Sequence, residues 1–233
     1  MATKSKESGS TTHYWKSALK ITAVTFLFFF VYAIIRYVAL RGIAIDQIPL
    51  FINNKAIALA AVYLIGFSYV LGPLARLWPK SFGPKLYLRK YLGILGFSVA
   101  AIHAFISAML LSPAYYPRFF TEAGKLTLNG ELSMLFGTLA LFIFAAVSIT
   151  SLPSVEEKMH RPQWQLIQRI GYLAFFLVAL HVFVFAWRGW INPEAWSNWM
   201  APMSFLAVAF ITFVLIMRFL VIFLGPHKAK NQK

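Results

Sequence analysis

Apolar residues fill this chain in six long blocks, each more than 20 residues and each closed by glycine, proline or charge. A helix needs about 20 such residues to cross the hydrocarbon of a bilayer. The pattern predicts an all-α membrane protein, a bundle of six transmembrane helices. They run near Ala18–Leu40, Ala56–Trp78, Leu86–Leu111, Leu132–Leu152, Trp164–Trp187 and Pro202–Leu224. Breakers mark the connections, among them Gly42 and Pro49, Pro79 and Gly83, Pro113 and Gly124, Pro153 and Pro162, and Pro193. This divides the chain into a polar tail over 1–17, a membrane domain over 18–224 and a basic tail over 225–233. No soluble domain, low-complexity tract or internal repeat is expected.

Composition agrees: 60% of residues are hydrophobic and 12% charged, where soluble domains carry about a quarter. The first 17 residues are polar, and the apolar block behind them is too long and lacks a small-residue cleavage site, so no cleavable signal peptide is expected. The absence of cysteine excludes disulfide exchange, iron–sulfur ligation and thiolate–zinc chemistry. A net charge of +15 would suggest nucleic acid in a soluble chain. In a membrane chain it reads as basic loops that set topology, with the lipid bilayer and no nucleic acid as partner. Lys4, Lys6, Lys16 and Lys20 fall on one side, with Arg76, Lys80, Lys85, Arg89 and Lys90, then Lys158, Arg161 and Arg169, then Arg218, Lys228, Lys230 and Lys233. The opposite loops carry only Arg41, Lys55, Arg118, Lys125 and Arg188, with Arg36 near the far end of the first helix. Both termini are therefore expected in the cytoplasm, in a multi-pass protein of the cell (inner) membrane.

Two histidines, His103 and His181, lie inside the apolar blocks. An ionisable residue there is costly and needs a partner or a task. Both sit on odd-numbered helices, roughly 6–8 residues short of the outer ends, so at 1.5 Å per residue they share one depth. Two neutral imidazoles on facing helices can hold a haem in a bundle. Gly93, Gly96, Ala100, His103 and Ser107 follow a spacing of three or four, as do Gly171, Ala174, Val178 and His181. Such a stripe either recesses the helix for a flat macrocycle or serves ordinary close packing between membrane helices. For the histidines themselves the alternative is a structural pair bonded to serines or carbonyls.

The residues around them carry a resemblance. Helix 3 opens Arg89-Lys90-Tyr91-Leu92-Gly93, with His103 ten residues after the glycine. Helix 5 reads Trp164 to Tyr172, with His181 nine residues after the tyrosine, and helix 2 ends Gly72-Pro73-Leu74-Ala75-Arg76. From helix 2 through helix 5 this resembles the ferric-reductase-like transmembrane domain. The likeness is above all to the haem-binding subunit of the bacterial methionine sulfoxide reductase system, and more distantly to single-haem STEAP metalloreductases and NADPH oxidases. The resemblance implies b-type haem held by His103 and His181. Two-haem relatives carry a second histidine 13 or 14 residues before each outer one; here those positions are Arg89 and Gln168. The expectation is one heme b, bis-histidine, in the outer half.

From Gln168 to His181 the helix rises about 20 Å, so a donor must reach the haem from the inner side. The 233 residues hold no dinucleotide-type glycine fingerprint. The expected donor is either a free flavin (FMN or FAD) supplied by a cytoplasmic flavin reductase, or a membrane quinol, which would place a quinone in the chain. At the inner mouth Arg76, Lys85, Arg89, Lys90 and Arg169 can pair with a phosphate, and Trp164 or Tyr172 can stack on a ring. Alternatively these charges only fix topology and Trp164 anchors the interface. Gln168 can bond a flavin or quinone, or a neighbouring helix. His160 reads as a solvated loop residue. On the outer side Arg36, and more weakly Arg188, can neutralise a haem propionate or snorkel to the interface. Tyr115, Tyr116, Trp190, Trp196 and Trp199 form an aromatic belt or a docking surface.

Three functions follow. The first is a cytochrome b subunit that passes electrons outward to a separate extracytoplasmic oxidoreductase, such as a methionine sulfoxide reductase. The second is a self-contained ferric or metal reductase. The third is a haem-free transporter or assembly factor, weakened because no helix interior carries an acidic residue.

Overall fold

The computed structural model describes residues 2–223. It contains six long helices: α1 (Ala2–Ala33), α2 (Asn53–Leu77), α3 (Leu88–Met109), α4 (Leu128–Ile149), α5 (Arg161–Ala186) and α6 (Met203–Phe223). All six spans are long and apolar enough to cross a membrane. Among the described residues there is no strand, only an isolated bridge between Phe120 and Leu126. In hydrocarbon an unpaired backbone group costs several kcal/mol, on the order of the helix bond it forgoes, so apolar blocks of this length become helices. The six follow the sequence blocks to within a few residues, except that the helix expected from Ala18 already begins at Ala2. The expected end at Leu224 and the basic tail over 225–233, with Lys228, Lys230 and Lys233, lie outside the described residues.

We call the end of the bundle where α1 begins, with the connections after α2 and α4, the near end. The far end holds the connections after α1, α3 and α5. Helix α2 is central. Two-thirds (67%) of its apolar window is buried, against 11% for α3, and it packs on α1, α3 and α6. Helices α4 and α5 form the second close pair, with α3 bordering α4 and α5 bordering α6. The two histidine-bearing helices, α3 and α5, share no extended packing with each other. Outward-facing side chains such as Phe28, Phe105, Phe142 and Phe219 are exposed, as expected where the solvent is lipid.

Pro73 lies inside α2. It has no N–H, so the Tyr69 carbonyl four residues back loses its helical donor. The Tyr172 hydroxyl of α5 donates to that carbonyl instead, at 3.2 Å, and ties the two helices together. At the near end Tyr14 stacks on Tyr87 (4.1 Å between ring centroids) and Trp15 meets Tyr91 edge-on (4.8 Å), fixing the start of α1 against α3. At the far end α1 closes in a π-helical turn, Ile34–Ala39, that buries Arg36. Thr127 caps α4, accepting from the Gly130 N–H at 3.1 Å.

Candidate functional site

His103 lies in the far-end half of α3 and His181 in the far-end half of α5, and the two imidazoles lie within electrostatic range of each other. His181 Nδ1 stands 2.7 Å from the Ser133 carbonyl oxygen on α4. A carbonyl oxygen can only accept, so Nδ1 carries the proton and Nε2 keeps its lone pair. The Ser133 hydroxyl closes the contact from the other side by donating to the His181 carbonyl at 3.0 Å. Ser133 is fully buried.

The approach depends on Gly137, one turn further along α4. A Cβ there would stand 2.8 Å from His181 Nδ1. In a helix the side chain four residues on crowds a carbonyl; with none at Gly137, the imidazole reaches Ser133 O.

His103 has a parallel arrangement built from a side chain. Its Nδ1 is 2.9 Å from Asn54 Oδ1 in the first turn of α2. The Asn54 amide nitrogen donates to Ser107 Oγ (2.8 Å) and to the Tyr116 hydroxyl (3.3 Å). The amide oxygen therefore accepts from Nδ1–H, and again Nε2 is left with its lone pair. Among the described residues no hydrogen bond uses Nε2 of either ring. Metal-bound histidines are held in this way, with one ring nitrogen fixed by a carbonyl or amide oxygen and the other turned to the metal. The far-end loop touches both arrangements: Tyr116 bonds Asn54, while Phe119 packs on Phe185 (5.3 Å), whose ring meets His181 (6.0 Å).

A cavity of about 380 Å³ opens at the near end, within the roughly 300–1,000 Å³ range of small-molecule sites. Arg89, Lys90, Trp164 and Gln168 line it, together with Ser68, Tyr69, Ser148 and Ser151. The Arg89 Nε donates to the Ser68 carbonyl (3.1 Å), and the Ser68 hydroxyl donates to the Arg89 carbonyl (2.6 Å). Gln168 gives its amide hydrogens to α4, at the Val147 carbonyl (3.2 Å) and Ser151 Oγ (3.0 Å). Trp164 Nε1 donates to the Thr150 carbonyl at 3.0 Å. Lys90 pairs with Glu156 at 2.6 Å across the rim, the one salt bridge among the described residues.

Gly93, Gly96 and Gly171 all face α2, and Gly93 also lines the near-end cavity. A Cβ at Gly96 would stand 2.7 Å from the Ile65 side chain and 2.9 Å from its backbone nitrogen, and one at Gly93 would be 3.1 Å from Ser68 Oγ. One at Gly171 would overlap the Tyr69 hydroxyl. Their small size lets the central helix approach, the alternative open to any small-residue stripe. Arg76, in the last turn of α2, is exposed and does not line the cavity. Arg89 lies over Gly72, one turn earlier, and supplies the cation at that wall. Exposed Lys85 and Arg169 also stand outside the cavity.

Arg36 is 1% exposed and does not snorkel: its Nη1 donates to the Met200 carbonyl, and its Nε is buried without a partner. The residues that sequence reasoning missed are Asn54, Ser133 and Gly137. The first two are buried polar groups, Asn54 just before the second apolar block and Ser133 at the start of the fourth, and Ser133 and Gly137 share one helix face by their spacing of four.

The sequence model of the family described as ferric reductase like transmembrane component matches residues 57–178, a little over half of the chain. The chain belongs to the ferric reductase-like transmembrane family. The match spans most of α2, all of α3 and α4 and the first two-thirds of α5, taking in His103 and ending three residues before His181. Among curated relatives of this ferric reductase-like chain, metalloreductase STEAP2 is 23% identical in both Mus musculus and Homo sapiens, over 87% of the chain and 48% of each relative. Metalloreductase STEAP3 of Rattus norvegicus is 24% identical over 81% of the chain and 45% of that protein. The ferric reductase-like chain thus spans about half the length of the curated relatives it matches, and its membership supports a transmembrane oxidoreductase with a redox cofactor.

Proposed function

We propose that this chain is the membrane subunit of an oxidoreductase, carrying electrons across the bilayer from a donor at the near end to an acceptor at the far end, with one b-type haem held by His103 and His181. The observation that carries the reading is the matched pair of imidazoles, each with Nδ1–H bound to an oxygen and Nε2 unused. A bis-histidine haem supplies a one-electron carrier whose potential is set by its ligands and their surroundings. The separation of α3 from α5 and the buried, unpartnered Nε of Arg36 also favour such a group. Arg36 is the candidate to neutralise a propionate, since its charge has no carboxylate partner among the described residues.

The charge distribution supports placing the near end in the cytoplasm of a cell whose inner membrane the chain spans. There Arg89 would hold a flavin phosphate, Trp164 would stack on its ring and Gln168 would meet its edge; a quinol entering from the bilayer is the other donor this cavity suits. The acceptor is a separate extracytoplasmic oxidoreductase. The resemblance of the Arg89–Gly93 and Trp164–Tyr172 motifs to the haem-binding subunit of the bacterial methionine sulfoxide reductase system favours that relay.

A second reading has its own support. A far-end cavity of about 430 Å³ is lined by Arg118, Asn129, Trp187 and Arg188 without any carboxylate, and Phe185 in its wall touches His181. Such a pocket suits an anionic metal chelate, and the relatives are named metalloreductases. The chain would then reduce metal by itself.

Reduced-minus-oxidised absorption of the purified chain tests the main proposal: a b-type spectrum is expected, lost in His103→Ala and in His181→Ala. A normal spectrum in either variant would overturn it. Ferric reduction by the isolated chain, abolished by Arg118→Ala with Arg188→Ala, would favour the second reading over the relay.

A further inference from the structure

The two imidazoles are held differently. The shortest contact of His181 Nδ1 is a backbone carbonyl at 2.7 Å, which no substitution of Ser133 removes, with Ser133 Oγ at 3.0 Å beside it. His103 leans on a side chain. Asn54 is 2% exposed and stands one residue inside α2. It caps nothing: the helix start at Ile52 has no side-chain cap. All of its short contacts go to one chain of groups, running from His103 Nδ1 (2.9 Å) through the amide to Ser107 Oγ (2.8 Å) and the Tyr116 hydroxyl (3.3 Å). An amide that donates through its nitrogen is polarised and accepts more strongly at its oxygen. A stronger acceptor at Nδ1–H makes Nε2 a better electron donor to a metal and favours the higher oxidation state.

We propose that Asn54 is the positioning residue that sets how strongly His103 holds and tunes its metal, and that the far-end loop reaches this adjustment through Tyr116. The inference rests on the bis-histidine haem reading. It makes His103, rather than His181, the adjustable ligand. It also gives the loop between α3 and α4 a route to the redox centre that needs no motion of either helix.

The test uses the full chain purified with its haem. The readouts are the midpoint potential, the low-spin electron paramagnetic resonance spectrum and the rate of haem loss to an apo-globin. In Asn54→Leu the midpoint is expected to rise and haem to leave roughly 10–100-fold faster, the usual effect of losing a partner of a metal-bound histidine. Asn54→Asp, which offers Nδ1–H a carboxylate, is expected to lower the midpoint below wild type. Tyr116→Phe is expected to move it in the direction of Asn54→Leu, by less. A role in packing alone predicts no such opposite signs. An unchanged midpoint in Asn54→Leu, or shifts of one sign in both Asn54 variants with none in Tyr116→Phe, would overturn the proposal. If the Asn54 variants do not fold, Tyr116→Phe and Ser107→Ala decide, and wild-type midpoints in both overturn it. Failure of the underlying reading looks different: the wild-type chain then shows no b-type spectrum, or His103→Ala keeps one.

Discussion

Replacing Gly137 with alanine adds one methyl group to α4, at a point 2.8 Å from His181 Nδ1, 3.2 Å from Cε1 and 3.4 Å from Cγ. Ordinary contact begins near 3.4 Å, so the ring must retreat by about 0.6 Å. Moved along its bond, Nδ1 would then lie about 3.3 Å from the Ser133 carbonyl instead of 2.7 Å, outside the usual range of an N–H···O bond. Weakening that buried bond costs about 1–3 kcal/mol, while alanine in a helix interior regains about 1 kcal/mol over glycine. The net cost for folding is then about 0–2 kcal/mol, so the unfolding temperature should fall by no more than about 8 °C. Binding of the proposed haem has no such compensation, and an affinity loss of roughly 10–100-fold is expected. The assay is the haem-to-protein ratio after purification, set beside thermal unfolding of the same sample. Full haem content with a wild-type spectrum in Gly137→Ala would refute the reasoning. So would collapse of the folded protein, since Gly137 would then serve packing rather than the imidazole.

Other substitutions probe the frame around the site. Tyr172→Phe leaves the Tyr69 carbonyl without a donor and should lower stability by about 1–3 kcal/mol, seen as a lower unfolding temperature in detergent. Gly96→Ala drives a methyl into the α2 backbone at Ile65 and should cost about 1–3 kcal/mol by overpacking; wild-type thermal stability would contradict the close α2–α3 contact. The Lys90–Glu156 pair is about one-third exposed on each side, so a double-mutant cycle should return below about 1 kcal/mol of coupling for stability. In Arg89→Gln, binding of FMN to the purified chain should weaken more than binding of riboflavin, since only the former carries a phosphate; equal losses would remove Arg89 from phosphate recognition.

The helices were legible because the length of an apolar run is a local property, and hydrocarbon leaves the backbone few choices. The histidines stood out because an ionisable group in such a run is rare. The glycine stripes were harder to assign. Spacing shows that Gly93 and Gly96 share a face, but it does not show that the face meets α2, because the central place of α2 emerges only from packing. The same limit hid Asn54, Ser133 and Gly137, which lie on helices other than those of the histidines they serve. Arg36 was visible as a charge in an apolar block, yet its burial against Met200 depends on a loop 164 residues away in sequence.

From the wall of the near-end cavity, where Tyr69 and Phe144 stand, the rings of Tyr69, Tyr172, Phe144 and Phe175 pack against one another. Of the two hydroxyls among them, that of Tyr172 is committed to a backbone carbonyl. A proton needs a file of water or hydroxyl groups, and this stretch offers it little. Under the proposed routing the protein would move electrons without matching protons, so each transfer would displace net charge. The step from Gln168 to His181 covers about 20 Å of a hydrocarbon layer roughly 30 Å thick. A membrane potential of about 100 mV, negative on the donor side, favours that displacement by about 1.5 kcal/mol per electron, scaled from about 2.3 kcal/mol for a full crossing. Export of reducing power along the proposed route would thus be driven by the energised membrane and would drain it, a cost that a proton-accompanied route would not carry.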